Sequence, residues 1–577
     1  MDSRTAAHVL SQIGALLEAK GEQRFKARAY AGAARAVIAL DTDDLAPLIR
    51  SGELAKTPGI GPATLGVVRD LIETGESSYL NQLREGMPTG LLDLMRVPGL
   101  GVAKIQIIHD ALGVQTVEDL ERVAQNGQLA GLPKFGEKTA AKILKGIEIS
   151  RRNAHLERFP RAVLEAHLLL ANIERHPNIA RASVAGSIRR HNEIVADTDI
   201  VAACGKNPEA VAESFTRSPG VSRAEMGEEA GSATIQFVDG RRVDMYCVTE
   251  EDYAMALWRA TGSAAHVEEM EALAEKKGFE IKGNLLVKRG GKRTPVPSED
   301  ALFAALDLLP IPPEMREGMG EIEAAARREL PVLVVFDDLR GALHCHTDYS
   351  DGAATLEEMA NAAQKLGWAY IGISDHSESA FYAGGLKRDK VARQHDEIDR
   401  LNSMMTGFRI LKGIEADILA DGRLDYDSDF LDGFDYVIGS IHSRFSMDGD
   451  TMTRRVLAAM DDPHLTILAH PTGRLLLSRE PYPIDIEAVL QKAAQNGVAV
   501  ELNADPHRLD LDWRYCRVAK ELGVTIEIGP DAHSTAGLEN VHFGIGLARK
   551  AWLEAREILN TGSADDVLAF ARRRRAK

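Results

Sequence analysis

The sequence has little cysteine and no long apolar run. Its four cysteines, at positions 204, 247, 345 and 516, are scattered and form no close pair. Such thiols do not make a disulfide framework, which favours a reducing cytoplasm. No apolar stretch reaches the roughly 18 residues of a membrane span, and the beginning, MDSRTAAHVLSQIG, lacks the pattern of a signal peptide. We therefore expect a cytoplasmic protein with no membrane partner.

Positive charge is also scarce, since 69 lysine and arginine residues face 86 aspartate and glutamate residues, for a net charge of −17. Phosphate binding depends on Lys and Arg, so this balance at first argues against a nucleic-acid partner. However, local basic segments such as RRNAHLERFPR (151–161) act within a Debye length whatever the total charge. Carboxylates that bind metals are also neutralised. The net charge therefore does not decide whether the partner is a nucleic acid.

Three segments of the first 150 residues share one pattern. Each has an apolar helical stretch, a proline, one or two glycines and a second helix: LAKTPGIGPATLGVVRDLI, LMRVPGLGVAKIQIIHDAL and LAGLPKFGEKTAAKILKGI. A tight turn between helices needs positive φ, and glycine lets backbone amides approach an anion at the next helix start. The alternative is that these turns only pack one helix against the next and bind no ligand. The presence of three copies favours ligand binding over this alternative. The candidate phosphate contacts are Gly59, Gly61, Gly99, Gly101 and Gly136.

Two aspartates lie two residues apart in IARASVAGSIRRHNEIVADTDIVAAC. This segment is typical of a strand, a glycine turn, a basic stretch and a second strand, so Asp197 and Asp199 face the same side. A hairpin in SATIQFVDGRRVDMYCV brings Asp244 to an equivalent position. Neighbouring carboxylates repel one another unless cations lie between them, and two magnesium or manganese ions there support nucleotidyl transfer. Ser187 and Arg190, after the glycine turn, are candidate triphosphate ligands.

The most informative pattern lies between residues 343 and 534. Seven short apolar runs end in metal-binding types of side chain: LHCHTDYSDG, GISDHS, KGIEAD, GSIHS, LAHP, ELNAD and GPDAHS. Helical segments such as TLEEMANAAQKLG lie between them, which predicts a parallel (β/α)7 barrel whose strands end at one rim. The candidate ligands are His344, His346, Asp351, His376, Glu415, His442, His470, Asp531 and His533.

Nine imidazole and carboxylate ligands are enough for three divalent ions if one carboxylate bridges, because a zinc ion takes about three or four protein ligands. A single histidine at a strand end is more often a structural residue. The pairs His344–His346 and Asp531–His533 favour metal binding, since residues two apart on a strand point to the same face.

These motifs together resemble a known family. GSIRRHNEIVADTDI is similar to the nucleotidyltransferase signature, G-S plus D-x-D, of the family X DNA polymerases, and the hairpin segments and ATGSAAHVEEMEALAEKKGF strengthen the match. The segments DLRGALHCHTDYSDG, SDHS, GSIHSRF and PDAHS resemble the PHP domain, named for polymerase and histidinol phosphatase. Essentially the whole chain thus resembles the bacterial and archaeal type of family X polymerase with a C-terminal PHP domain.

The resemblance implies a role for each candidate residue. In the palm, Mg²⁺ or Mn²⁺ ions would be held by Asp197, Asp199 and Asp244. The nucleotide would be bound by Ser187, Arg190, Gly262 and Ser263. In the PHP barrel, three Mn²⁺ or Zn²⁺ ions would be held, one by His344, His346, Glu415 and Asp531, a second by Glu415, His442 and His470, and a third by Asp351, His376 and His533. Glu415 would be the bridge, and Glu415 and Asp531 would be catalytic.

The chain departs from the family pattern in the polymerase half. Arg259 and Ala260 stand where a Tyr-Phe pair commonly precedes T-G-S, and Val267 stands where an asparagine usually reaches the incoming base. Each loss could cost about 1 to 3 kcal/mol of transition-state binding. Ala63 and Val67 fall where some relatives have a lyase lysine, so we expect no lyase activity. Synthesis is therefore the activity expected to be weakened.

The resemblance implies a DNA repair enzyme whose barrel is a manganese-dependent 3′ to 5′ exonuclease, with cleavage at abasic sites or removal of 3′-blocking groups as further activities. Gap-filling synthesis is expected in the palm. Its partners would be dNTPs and gapped, nicked or single-stranded DNA ends, and it would act as a monomer. Arg444 and Arg474, beside two of the histidines, are candidate phosphate ligands. Two alternatives remain open: a small-molecule phosphatase, and a DNA-binding scaffold with structural metals.

A chain of 577 residues is too long for one core, so about three or four domains are expected. Composition and the resemblance place the boundaries. The predicted regions are an N-terminal helical domain with the first hairpin (1–85), a fingers-like hairpin region (86–150), an α+β nucleotidyltransferase palm (151–250), a thumb-like region (251–320), a linker (321–337) and the PHP barrel (338–577).

Overall fold

The computed structural model describes residues 1–19, 24–40, 42, 44–85 and 87–576. The first part of the chain is helical throughout, as predicted, and one apolar core extends from Ala6 to Ile147. Its helices are α1 (Ser3–Ala19), α2 (Arg24–Ile38), α3 (Ala46–Ser51), α4 (Pro62–Thr74), α5 (Ser78–Arg84), α6 (Leu91–Met95), α7 (Val102–Leu112), α8 (Val117–Gln125) and α9 (Glu137–Arg152).

The three hairpin repeats have one backbone geometry. The left-handed position of each turn is Gly59 (φ 90°), Gly99 (φ 80°) or, in the third copy, Lys134 (φ 73°). The residues that precede α4, α7 and α9 are Gly61, Gly101 and Gly136. This second set has extended backbone, so positive φ is not its requirement. A Cβ there would meet nothing within 4 Å, so these helix starts are open to a ligand.

The region predicted as the palm is a five-stranded sheet with helices against it. Its elements are β1 (Glu157–Arg158), α10 (Phe159–Ile173), β2 (Ile179–Val184), α11 (Gly186–Arg189), β3 (Ile194–Val195), β4 (Thr198–Cys204), α12 (Pro208–Phe215), β5 (Val221–Met226), β6 (Ser232–Phe237) and β7 (Arg242–Thr249). The strand order is β2-β4-β7-β6-β5, in which β4 and β7 are parallel and the other pairs are antiparallel.

The thumb is a small α+β unit. Its elements are α13 (Tyr253–Thr261), α14 (Ala264–Lys276), β8 (Phe279–Lys282), β9 (Leu285–Lys288), β10 (Arg293–Thr294), α15 (Glu299–Ala305) and α16 (Glu321–Ala326). The predicted linker begins with α16, but Ile322 and Ala325 of this helix are buried in the thumb core. The start of that segment is therefore part of the thumb, because its apolar side chains find their core there.

The last region is a parallel barrel with outer helices. Its elements are β11 (Gly341–Ala342), α17 (Leu356–Lys365), β12 (Tyr370–Ile373), α18 (Arg388–Met404), β13 (Arg409–Lys412), β14 (Glu415–Asp417), α19 (Ser428–Leu431), β15 (Val437–Ser440), α20 (Gly449–Ala459), β16 (Leu465–Leu468), α21 (Ile486–Asn496), β17 (Ala499–Asn503), α22 (Trp513–Glu521), β18 (Ile526–Gly529), α23 (Val541–Lys550) and α24 (Ala564–Arg575).

Two bridges close the barrel. Strands β11–β13 form one sheet and β14–β18 another, all parallel, and β13 and β14 are two pieces of one interrupted strand. Parallel bridges join Cys345 to Ala532 and His376 to Glu415. Seven strand positions thus surround one axis, as predicted, and their C-terminal ends share a rim. No helix in the described part of the chain has the length and apolar character to cross a membrane.

Candidate active sites

The rim of the barrel brings together all nine candidate ligands. Four groups of three or four of these side chains have ligand atoms within 4.8 Å of one another. The groups are His344, His346 and Asp531; His344, Glu415 and His470; His376, Glu415 and His442; and His346, Asp351, His376 and His533. No other such group occurs in the described ranges. Convergence follows from topology, because each strand delivers its terminal residues to one rim.

Ligand atoms of four residues lie close together: His344 and His346 follow β11, Glu415 begins β14, and Asp531 follows β18. His344 Nε2 lies 3.5 Å from Glu415 Oε1 and 3.6 Å from Asp531 Oδ1. His346 Nε2 lies 3.7 Å from Glu415 Oε2 and 3.4 Å from Asp531 Oδ1. Ligands at about 2.1 Å from a tetrahedral zinc ion are about 3.4 Å apart from one another. These five atoms of four residues therefore have the spacing of ligands in a divalent-ion site.

Glu415 is shared between groups. Its Oε1 lies 3.3 Å from His442 Nε2 and 3.1 Å from His470 Nε2, and its Oε2 lies 2.8 Å from His376 Nδ1. Ser440 Oγ donates a hydrogen bond to Oε1, at 2.6 Å, and so orients the carboxylate. A carboxylate surrounded by imidazoles on both oxygens is suited to bridge two ions.

The outermost group contains the only half-exposed ligands. Asp351 Oδ1 lies 3.3 Å from His533 Nε2 and 3.6 Å from His376 Nε2. His346 lies beside them, with its ring centroid 4.2 Å from that of His533. This group opens to solvent, whereas His344 and His346 are fully buried. A substrate phosphate would therefore approach from the side of Asp351 and His533.

Buried carboxylates behind the histidines were missed by the sequence reasoning. His344 Nδ1 is 2.5 Å from Glu501 Oε1, and His442 Nδ1 is 2.7 Å from Asp417 Oδ1. A carboxylate on the far ring nitrogen fixes the tautomer, and it makes the near nitrogen a better metal ligand. The sequence does contain features that point to these carboxylates, since Glu501 interrupts the apolar strand AVELN and Asp417 follows Glu415 by two residues.

The donor set fits divalent ions. His344 Nε2, both ring nitrogens of His346 and Glu415 Oε2 are buried without a hydrogen-bond partner. Burial lowers the pKa of His346 and of His470 to about 3, so both imidazoles are neutral, which is the form that binds metal. Neighbouring carboxylates outweigh burial at His442 and raise its pKa to about 10, so an ion bound there would displace a proton. Leaving such polar atoms unpaired costs free energy, which coordination to ions would offset.

Of the two arginines predicted to bind phosphate near the rim, Arg474 is engaged by protein groups and Arg444 is exposed. Arg474 is not free for phosphate, because its Nη2 lies 3.3 Å from Glu193 of the palm and its Nη1 lies 3.0 Å from Asp512. Arg508, which the sequence reasoning missed, has its Nε 3.3 Å from Asp531 Oδ2 at the metal cluster. Arg444 is exposed and keeps its candidacy as a phosphate ligand.

The palm places its carboxylates on neighbouring strands. Asp199 of β4 is paired in register with Asp244 of the parallel strand β7, and Asp197 immediately precedes β4. Gly186 makes this possible: a Cβ there would lie 1.8 Å from Asp199 Oδ2, and its φ is 59°. Burial, with Asp197 and Asp244, raises the pKa of Asp199 to about 7. These repelling groups would be stabilised by a cation.

Asp244 nevertheless has protein partners. Thr234 Oγ1 donates to its Oδ1 at 2.5 Å, and Arg242 Nη2 lies 2.9 Å from its Oδ2. Among the described residues, the three palm carboxylates are not one of the groups whose ligand atoms lie within 4.8 Å. Arg242 therefore neutralises part of the negative charge of Asp244, which bound ions would otherwise neutralise.

The predicted nucleotide contacts are only partly accessible. Ser187 Oγ is buried without a hydrogen-bond partner, as expected of a group that awaits a ligand. Arg190, in contrast, donates to Glu317 Oε1 at 2.9 Å and to the Thr261 carbonyl at 2.7 Å. Lys550 of the barrel also binds Glu317, and its Nζ donates to the Arg190 carbonyl at 3.1 Å. Arg190 is thus engaged by protein groups.

Gly262 and Ser263 form the turn between α13 and α14. Ser263 Oγ caps α14 by accepting from the His266 amide, so its hydroxyl serves a helix start. The altered pocket residues lie nearby. Arg259 donates to the Gly283 carbonyl and pairs with Glu271, while Val267 packs against the thumb core. Arg259 and Val267, which differ from the family pattern, therefore both make contacts within the thumb.

A cavity of about 1600 Å³ is lined by the helical region, the palm and the barrel. Gly99 and Gly101 of the second hairpin, Asp197 of the palm and Arg444 of the barrel line it. Its walls also carry Lys142, Lys145, Arg158 and Arg161. A basic cavity in a chain of net charge −17 is suited to a polyanion.

Two sites rich in ligands for divalent ions, with a basic cavity that reaches Asp197 of the palm site, place the protein among metal-dependent enzymes that act on phosphate compounds. Family models narrow this class. They match the chain as a helix-hairpin-helix domain over residues 1–77, a SAM-like helix-hairpin-helix tandem over 91–148, a DNA polymerase beta thumb over 256–317 and a PHP domain over 342–505.

Similar proteins agree with this organisation. The DNA polymerase/3'-5' exonuclease PolX of Bacillus subtilis (strain 168) is 37% identical over 578 residues, covering 99% of this chain and 100% of the relative. A probable phosphatase of Caldanaerobacter subterraneus is 30% identical over 251 residues, which are 41% of this chain and 91% of that protein. The chain therefore belongs to the family X DNA polymerases that carry a C-terminal PHP domain.

Proposed function

We propose that the protein is a monomeric, cytoplasmic DNA repair enzyme with two activities. The barrel is a 3′ to 5′ exonuclease that also processes blocked 3′ ends, and it uses three Mn²⁺ or Zn²⁺ ions. The palm is a DNA polymerase that uses dNTPs and Mg²⁺ or Mn²⁺ to fill gaps, with reduced efficiency. The observation that carries the proposal is the 3.4–3.7 Å spacing of ligand atoms around His344, His346, Glu415 and Asp531.

Each group in the barrel has a defined task. Bound ions would supply a hydroxide near neutral pH and a clamp for the phosphodiester. Glu415 would hold adjacent ions in fixed separation, and Asp351 and His533 would hold the ion nearest to solvent. Arg444, at the cavity wall beside the rim, would neutralise a strand phosphate as it enters.

The palm residues support in-line nucleotidyl transfer. Asp197, Asp199 and Asp244 would hold the ions that bridge the triphosphate and the primer hydroxyl, with Ser187 as a phosphate donor. The hairpin helix starts at Gly61, Gly101 and Gly136 would grip DNA phosphates without reading bases. The altered pocket residues and the engagement of Arg190 by Glu317 support the expectation that synthesis is the weaker activity.

The test separates the two sites. Full-length protein is incubated in manganese with a 5′-labelled primer-template, with and without dNTPs. We expect the wild type to shorten the primer, and to extend it slowly with dNTPs. Asp197→Ala/Asp199→Ala should abolish extension and keep shortening, whereas His346→Ala/Asp531→Ala should do the reverse.

A barrel histidine outside the cluster provides the control. His507 is largely exposed and pairs with Asp505, so His507→Ala should retain both activities. The proposal fails if neither the wild type nor the control shortens a strand in any divalent metal. A polymerase without nuclease activity would leave the barrel as a scaffold with structural metals.

A second function is supported by the relatives described as probable phosphatases, whose match covers the barrel. In that case the barrel would hydrolyse a nucleoside monophosphate faster than a labelled single strand. The hairpins and the basic cavity favour DNA, because neither is needed for a small ester. Comparing kcat/KM for the two substrates with the same metal-loaded protein decides between them.

A further inference from the structure

Two aromatic side chains at the barrel rim are exposed without a protein partner that would bury them. Phe381 is 85% exposed and Tyr382 is 61% exposed. The sequence contains 30 aromatic residues, and across the described ranges only Phe25 and Tyr515 are also exposed by more than a third. Adjacent exposed rings are therefore an exception in this chain. Large apolar surface in water is unfavourable, so the pair is expected to have a ligand.

The pair lies beside the metal cluster. The Tyr382 ring centroid is 6.5 Å from that of His442, with the planes at 75°. Phe381 lies next to it, at 6.0 Å between centroids and 78° between planes. Both rings are carried by the loop that follows His376, itself a candidate ligand. A nucleotide whose phosphate reaches the cluster would therefore bring its base to these rings.

The loop that carries the rings is held firmly at its base. The Leu386 amide donates to the His376 carbonyl at 2.8 Å, and Ser377 and Leu386 form a parallel bridge. The Ser379 amide donates to Asp425 Oδ2 at 2.9 Å. Ala380 and Leu386 are fully buried. The exposure of the rings is thus a property of an anchored turn, and a ligand would lose little binding free energy in ordering it.

We propose that Phe381 and Tyr382 form a stacking platform for the unpaired base at the 3′ end of a DNA strand whose phosphodiester lies at the barrel metals. This inference rests on the proposed exonuclease function and specifies its substrate. Stacking needs a base removed from a duplex, so the platform selects single-stranded or frayed ends over paired ones. The platform would supply a contact to the base that the hairpins do not make, because the hairpins contact phosphates only.

Kinetics on defined ends test the platform. The substrates are a 5′-labelled single strand and the same strand ending in two abasic nucleotides, with manganese-loaded full-length protein. Phe381→Ala/Tyr382→Ala should lower kcat/KM on the ordinary strand by about tenfold or more, mainly through KM, since base stacking on one ring is worth about 1–3 kcal/mol. On the abasic strand the loss should be absent. Tyr382→Phe keeps the ring and should retain wild-type kinetics.

Binding is measured separately with a fluorescent purine analogue at the 3′ terminus, whose emission is quenched by stacking. We expect quenching with the wild type and Tyr382→Phe, less with Phe381→Ala/Tyr382→Ala, and none when the analogue is at the 5′ end. Tyr515→Ala removes an exposed ring from helix α22 of the same barrel and should change nothing. Melting temperatures verify that all variants are folded.

The outcomes are distinguishable. Equal kinetics of the double variant and the wild type on the ordinary strand would overturn the platform, as would an equal loss on the abasic strand. Absence of strand cleavage by the wild type would overturn the proposed function, and the quenching measurement would still decide whether the rings bind a base. Quenching that is unchanged by removal of both rings would refute the inference whatever the activity.

Discussion

Arg474 of the barrel binds Glu193 of the palm, with 3.3 Å between Nη2 and Oε1. Both side chains are only 12% exposed, and the same guanidinium binds Asp512 of the barrel at 3.0 Å. The residue that the sequence offered as a phosphate ligand is thus a connection between two domains. The positive charge of Arg474 is paired with protein carboxylates, so substitution of this residue should lower the stability of the fold more than the rate of catalysis.

Arg474→Ala should destabilise the junction of palm and barrel. Removing one partner from a largely buried pair leaves carboxylates uncompensated and costs about 3 kcal/mol or more. Thermal melting followed by circular dichroism measures the effect. Arg514→Ala is the control, because Arg514 pairs with the same Asp512 but is 60% exposed, and its loss should cost less than about 1 kcal/mol. Similar shifts for the two variants would contradict the assignment.

Glu501→Gln should weaken metal binding without removing a ligand. Glu501 accepts from His344 Nδ1, so a neutral amide would leave the imidazole less basic. Loss of such a supporting carboxylate lowers metal affinity by about 10- to 100-fold. Competition with a chromogenic chelator gives the affinity. Asp565→Asn, an exposed carboxylate that pairs with Arg409, should retain wild-type affinity, and an equal decrease there would argue for a general charge effect.

Removal of metal should lower the melting temperature of the barrel. Its centre collects Glu415, Asp531 and four buried imidazoles with unpaired atoms, and ions stabilise the folded state by mass action. At a metal concentration of 100 times Kd, one site contributes about 2.7 kcal/mol. Melting after chelation and after manganese is restored measures this difference. In His346→Ala/Asp531→Ala the response should shrink, and an undiminished response would place the stabilising ions elsewhere.

The thumb should lose stability as pH falls through 6.5. His266 Nδ1 binds Glu321 at 2.7 Å while Nε2 accepts from Trp258 Nε1 at 3.2 Å, so only the neutral ring satisfies both contacts. Burial lowers the pKa of His266, although Glu321 raises it. Because the folded pKa lies below the unfolded value, the unfolded chain binds the proton first, and stability present above pH 6.5 is lost below it.

Melting at pH 7.5 and 5.5 measures this loss. His266→Gln should be less stable at pH 7.5 and show a smaller decrease between the two conditions. His507→Gln changes an exposed histidine and should keep the wild-type decrease. If His266→Gln retains the full decrease, another group is responsible.

The polymerase should improve when the pocket is restored to the family pattern. Arg259→Tyr/Ala260→Phe/Val267→Asn returns a ring and a polar group to the nucleotide. We expect kcat/KM for incorporation to rise by about 30-fold or more, because two contacts of about 1 kcal/mol or more each add to about 2 kcal/mol. Single-nucleotide incorporation on gapped DNA gives the value. The same changes combined with Asp199→Ala should give no incorporation. No gain in the triple variant would contradict the assignment of weak synthesis to these three positions.

The sequence predicted the rim well, because strand ends of a parallel barrel must converge. All nine candidate ligands come together, and Glu415 is shared as expected. The grouping was less predictable, since His346 lies near two groups and His470 lies with His344 as well as Glu415. Which ring faces which depends on the stagger of strands around the barrel, and periodicity along one strand contains no information about its neighbours.

Contacts between distant segments were beyond the sequence. Arg474 stands beside His470 and looks like a rim residue, but its partner Glu193 is 281 positions away. Likewise, Arg190 follows the glycine turn as in the family pattern, yet its guanidinium donates a hydrogen bond to Glu317. Local motifs identify the residue types that chemistry needs, whereas domain packing decides which of them are free.

The fully buried amino group of Lys550 has a consequence for how the enzyme can be studied. It comes from the barrel but binds Glu317, the Asn192 side chain and the Arg190 carbonyl. The surroundings of Arg190, the residue proposed to bind the triphosphate, are therefore built partly by the barrel. A polymerase half truncated at residue 337 would lack Lys550 and its contacts to Glu317 and Asn192. Its polymerase kinetics would therefore differ from those of the full-length protein.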